Sequence, residues 1–246
     1  MEIPQFILIL SGVLALIIVL VIWFYPVFHI LFAKYVFGKF SARYIDVHKK
    51  YTGKSPYGYC IKDDFVNHIA SFYKKKSSFQ AFKSDQPVLF GKIPYGASFK
   101  EVFKENTKPF CVNSFRLEHF ELKILGYRSE MFDTEMKSYY YFINNRFFMG
   151  EYTFKNPADA KLKEVALILR KKYLNGAKDD SMNFLINGAN EAKLRFENTG
   201  FNLSVKYLDS SNQEINDKLD QFWNTAIKKG IDEITSDFET ELFDRL

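Results

Sequence analysis

From Ile3 to Phe32 the chain carries no charged residue, and its centre from Phe6 to Phe24 is almost wholly apolar. A helix rises ~1.5 Å per residue, so roughly 20 such residues cross a hydrocarbon layer of ~30 Å. The run therefore predicts a transmembrane helix. Met1 and Glu2 offer no basic leader region, and Trp23, Phe24 and Tyr25 stand where a small-residue cleavage site would follow. No cysteine follows for lipidation, so the expectation is a retained signal-anchor. Lys and Arg are missing before the run, whereas Lys34, Lys39, Arg43, Lys49, Lys50 and Lys54 come after it. Cations close to a span resist translocation, which predicts a single-pass protein of the cell membrane with its large domain in the cytoplasm. Trp23, Tyr25 and Tyr35 suit the interfacial layer, and Pro26 is placed to kink or end the helix.

Charge divides the remainder. Between Lys34 and Ser84 eleven lysines and arginines face only Asp46, Asp63 and Asp64, while from Asn212 onward four cations face nine acids. A basic segment beside anionic lipid gains roughly 1 kcal/mol per charge, which makes Lys34, Lys39, Arg43, Lys49 and Lys50 candidate lipid-headgroup contacts. A solvated face on a connecting helix explains the same residues. No nucleic-acid-binding module is present, so nucleic acid is not an expected partner. The organisation read from these features is an anchor over 1–32, a basic juxtamembrane helical region over 33–87, and an α+β domain with a C-terminal helix over 88–246.

Within 33–87, Phe32, Val36, Phe40, Ile45 and Val47 suggest an amphipathic continuation broken at Gly53, Pro56 and Gly58, and Asp64 to Lys76 reads as a second helix. Val88 to Phe90 reads as a strand, and Ser98 as the cap of a short helix through Phe99, Val102 and Phe103. Strand-like runs follow at Phe115–Tyr127, Met136–Asn144 and Arg146–Phe154, the last two meeting at the turn-prone Asn144-Asn145. Asn156-Pro157 reads as the start of a helix with the stripe Leu162, Val165, Ala166, Leu169 and Tyr173, ended by Asn175-Gly176. Three more strands are expected at Met182–Ile186, Ala192–Glu197 and Phe201–Leu208. Superposing the hairpin 139–154 on 192–208 suggests a duplicated helix-plus-three-strand antiparallel unit. A long helix from Asn212 closes the chain, its apolar stripe continuing through Ile231, Ile234, Phe238 and Leu242.

No catalytic, cofactor or metal motif emerges. His29, His48, His68 and His119 stand apart without ligand spacing, and Cys60 and Cys111 form no CxxC pair. Two cysteines fit a reducing compartment, with a single bridge as the alternative. The predicted catalytic, cofactor and metal residues are therefore none. With 27 Phe and 15 Tyr, the chain has ample material for a folded core. In the aromatic run Tyr139-Tyr140-Tyr141-Phe142, alternation puts Tyr139 and Tyr141 on one face, either inside the core or on an open face that takes a partner. The distal stripe Ile231, Ile234, Phe238 and Leu242 is the other candidate partner-binding surface.

Ile93-Pro94-Tyr95-Gly96-Ala97-Ser98 before a short helix, Tyr140-Tyr141-Phe142 with Asn144-Asn145-Arg146-Phe147-Phe148, and a helix ending Lys172-Tyr173 together resemble bacterial envelope domains of the β-lactamase-inhibitor-protein-like type. The resemblance covers Phe90 to Asp209 and implies a helical start, a β-meander and a binding rather than catalytic role. This chain differs in lacking a lipobox and in its basic flank. The expected function is a membrane-anchored, non-catalytic accessory subunit that contacts lipid through the N-terminal helix and binds another protein. The alternatives are a membrane-bound hydrolase or lipid-handling enzyme built from scattered residues, and an exported ligand-binding domain.

Overall fold

The computed structural model describes residues 5–58, 60, 79–106, 109–116, 120–131, 134–176, 181–198, 200–221 and 224. The chain forms two compact units, Met1–Gly58 and Tyr59–Leu246.

The first unit holds α1 (Gln5–Phe37) and α2 (Ala42–Thr52). Helix α1 continues through Pro26. The expected amphipathic continuation into the basic segment is interrupted at Gly38, whose φ of 85° only glycine adopts without strain. Ser41 then caps α2: its Oγ accepts from the Tyr44 N–H at 3.1 Å and donates to the Gly38 carbonyl at 2.9 Å. The two helices pack antiparallel, burying Ala33, Tyr44 and Ile45, and the Tyr51 hydroxyl is hydrogen-bonded to His29 Nδ1 at 3.0 Å.

The transmembrane helix of the expected fold class is corrected here, and with it the membrane and signal-anchor assignments that rested on it. Among the described residues no helix is long and apolar enough to cross a membrane. Towards its C-terminal end α1 carries Pro26, His29 and Lys34.

The second unit is a mixed α/β domain on one eight-stranded sheet. Its elements are β1 (Gln80–Lys83), α3 (Phe99–Glu105), β2 (Cys111–Arg116), β3 (Glu121–Met131), β4 (Thr134–Ile143), β5 (Arg146–Lys155), α4 (Asp159–Tyr173), β6 (Asn183–Asn187), β7 (Lys193–Asn198) and β8 (Asn202–Leu208). A further helix, α5, covers 213–221. The strand order is β1-β6-β7-β8-β5-β4-β3-β2. Two antiparallel meanders, β2 to β5 and β6 to β8, join along the β5–β8 pairing, and β1 adds in parallel beside β6. The hairpins β4–β5 and β7–β8 thus lie side by side.

Local chemistry explains the turns. Asn144 and Asn145 have φ of 46° and 69°, the left-handed pair a two-residue hairpin needs. Ser98 and Glu101 form a reciprocal capping box at α3. Helix α4 ends with the Leu174 and Gly176 N–H groups both donating to the Arg170 carbonyl, Gly176 having φ of 77°. Its start differs from expectation. Ala158, not Asn156, is the N-cap, because Asn156 takes φ of 46° and donates its N–H to the Phe201 carbonyl at 2.8 Å.

One face of the sheet is covered by α3 and α4. Leu162, Ala166, Leu169 and Tyr173 of α4 are buried, and the Phe99 ring of α3 lies 5.5 Å from Phe142. Phe90 fills the centre, with its ring 4.4 Å from Tyr152 and 5.0 Å from Tyr140. Gly150 makes this possible, since a Cβ there would stand 2.2 Å from the Phe90 ring. The opposite face packs Leu122, Ile124, Tyr141, Ile143, Met149 and Leu208 against Ile215 and Leu219 of α5.

Candidate functional site

Among the described residues of α1, Ala33 is buried in the antiparallel α1–α2 hairpin and many of the large apolar side chains are exposed. Trp23 is 78 % exposed, Phe28 67 % and Tyr35 83 %, and Phe24, Val27, Leu31, Phe32 and Val36 are exposed with them. Three of the candidate headgroup contacts lie over aromatic rings: Lys39 Nζ is 5.0 Å from the Phe40 centroid, the Arg43 guanidinium 4.7 Å from Phe37, and Lys50 Nζ 5.5 Å from Tyr51. Lys34 and Lys49 are exposed. The result is an apolar, aromatic helix surface accompanied by cations. Contiguous exposed apolar surface of this kind marks an interaction site more often than a scattering of single residues does.

The second arrangement is a polar seam on the α5 face of the sheet, and nothing in the sequence reading anticipated it. Cross-strand register puts Tyr139, Glu151, Lys206 and Arg195 in one row across β4, β5, β8 and β7. Glu151 is 1 % exposed; its carboxylate accepts from the Tyr141 hydroxyl at 2.8 Å and from Ser204 Oγ at 2.7 Å. One step along the strands, Glu197 takes Arg195 at 3.4 Å and Lys206 at 3.8 Å. Two acids and two bases, all buried, therefore balance one another. Burial, and then the charge of Glu151, push the Tyr141 phenol well above its ordinary range, so it serves as a neutral donor. Such a seam fixes strand register. It is not built to hold a substrate, because Tyr141, Ser204, Arg195 and Lys206 already serve the two carboxylates.

The expected site residues are thus separated. Tyr141 is fully buried and belongs to the core, which removes it from a partner-binding face, while Tyr139 is half-buried with its ring 6.3 Å from Phe110. Of the two placements of this aromatic run, the core is the one the structure has, with both faces of the sheet packed. Ile231, Ile234, Phe238 and Leu242 lie outside the described residues, as do the expected helix 64–76, His68 and His119, the histidines on which a hydrolase reading would draw. His48 is engaged in closing α2, its Nδ1 3.0 Å from the Lys54 carbonyl. Among the described residues no group of His, Cys, Asp and Glu is placed to hold a metal ion. A hollow of about 200 Å³ beside Lys83, Asp85, Tyr173 and Asn175 is smaller than the ~300 to 1,000 Å³ of ordinary ligand pockets.

Cys60 and Cys111 are joined in a disulfide. Of the two readings of these cysteines, a reduced pair and a single bridge, the structure has the bridge; cysteine spacing alone carries no signal of which pairs meet in space.

The chain matches no known protein family, no curated protein and no solved structure. The resemblance to β-lactamase-inhibitor-protein-like envelope domains accordingly rests on the quoted residues alone.

Proposed function

We propose that this chain is a non-catalytic accessory protein that binds another protein, with the uncovered side of α1 as its contact surface. The observation that supports the reading is the exposure of Trp23, Phe24, Phe28, Leu31, Phe32 and Tyr35 along that helix. Leaving such surface in water is unfavourable by ~25 cal/mol per Å², so a partner that covers it gains that much before the costs of association. Lys34, Lys39, Arg43, Lys49 and Lys50 complement a partner that presents acidic groups around an apolar centre. Affinity capture of the full chain in mild detergent, alongside a Phe28→Glu/Phe32→Glu variant, tests the reading. The expected result is a stoichiometric protein partner with the native chain and at least a tenfold loss with the variant. Recovery of the native chain alone and monomeric would sink it.

A second reading places lipid against the same surface. It is favoured by one specific combination, Trp23, Tyr25 and Tyr35 together with the cations, which is the pairing of aromatic and basic groups found at lipid interfaces. Sedimentation with anionic vesicles that weakens as salt rises would select it over the protein partner.

A further inference from the structure

The Cys60–Cys111 disulfide lies in surroundings shaped to receive it. Cys111 begins the edge strand β2 and is fully buried, with Gly126 of β3 directly opposite it in register. A Cβ at Gly126 would stand 2.3 Å from Cys111 Sγ and 2.9 Å from the Phe110 ring. This glycine has no left-handed φ, so it is there for space and not for backbone freedom. The Cys60 N–H donates to Asn113 Oδ1 at 2.6 Å, and Asn113 is itself only 5 % exposed. Cys60 packs at the margin of the apolar cluster on the α5 face. A small residue, an amide acceptor and an apolar bed thus all meet the bonded pair, and neither of the chain's two cysteines is left free.

Persistent structural disulfides belong to oxidising compartments, because the cytosolic glutathione and thioredoxin systems keep thiols reduced. From the bond and its surroundings we infer that the α/β domain matures outside the cytosol, in an oxidising compartment, which is the reverse of the positive-inside expectation. The bond forms by thiol–disulfide exchange. The Cys60 and Cys111 thiols give up two protons and two electrons, and the disulfide of a dithiol oxidoreductase accepts them and becomes a dithiol. The inference does not depend on what α1 binds.

Thiol trapping in cells that express the full chain tests it. Cells are quenched in acid and treated with a maleimide-polyethylene-glycol tag before or after reduction. The expected result is no tagged species before reduction and a doubly tagged species after it. A doubly tagged species before reduction would overturn the inference, and so would a singly tagged one. Gly126→Ala provides the second reading: at a fixed glutathione poise its oxidised fraction should fall at least threefold relative to the native chain. An unchanged fraction would show that the glycine is not there for the crosslink, and would remove the argument that the site is built for it.

Discussion

Glu151 keeps a carboxylate in the middle of a sheet because Tyr141 and Ser204 both donate to it. An unpartnered buried charge would cost several kcal/mol, whereas these two donors and the facing Lys206 keep it acceptable. The same burial acts on the phenols. Tyr141 and Tyr207 are raised well above the ordinary tyrosine value of 10.0, burial being the largest cause for both. Unfolded tyrosines ionise near pH 10, so above that value the unfolded chain binds fewer protons than the folded one, and stability falls as pH rises. Below the unfolded value the contribution is fully present. Urea midpoints measured from about pH 9 to about pH 11 should therefore decline. The buried phenolate absorbance should appear together with unfolding and not before it. Tyr207→Phe should flatten the decline, and a midpoint independent of pH over this range would contradict the assignment.

At the scale of elements, what the sequence shows is what local chemistry decides. Asn144-Asn145 announces the β4–β5 hairpin because few residues accept two left-handed positions in succession, and Ser98 announces α3 because its hydroxyl is three residues from Glu101. Where the deciding contact is distant, the reading fails. β1 is short and largely exposed, and among the described residues its ladder is with β6 about a hundred residues later, so a domain start at Val88 leaves it out. The run Phe115–Tyr127 divides into β2 and β3 because Phe115 pairs with Leu122, and a fold-back of this kind leaves no trace in periodicity. The polar seam is invisible for the same reason. Arg195, Glu197 and Lys206 look like solvent-facing strand residues until register brings them together. Two substitutions separate cap from packing. Ser98→Ala removes an exposed cap and should cost about 1 kcal/mol, whereas Leu219→Ala empties a site in α5 that is only 2 % exposed and should cost about 2 to 5 kcal/mol. Urea denaturation of both variants checks the order; a cap loss equal to or above the packing loss would mean that α5 is not a wall of the core.

On the scale of the whole molecule, the division at Gly58 separates two kinds of surface. Among the described residues the α1–α2 unit buries Ala33, Tyr44 and Ile45 and exposes Trp23, Phe24, Phe28 and Tyr35, while the α/β unit has packed both faces of its sheet and carries the Cys60–Cys111 bridge. Energetically the second unit has what a domain needs to stand alone: a core on each side of one sheet, a neutral buried seam and a crosslink wholly within its own residues. The fragment 59–246 should therefore fold independently, keep the disulfide, and melt in one cooperative transition. Its melting temperature should lie within about 4 °C of that transition in the full chain, which for a domain of this size corresponds to roughly 1 kcal/mol. It should also lose capture of the α1 partner entirely, since that surface is gone. A larger fall in melting temperature, or loss of the native thiol pattern, would show that the α/β unit draws stability from residues before Gly58. Retained capture would move the binding surface onto the sheet domain.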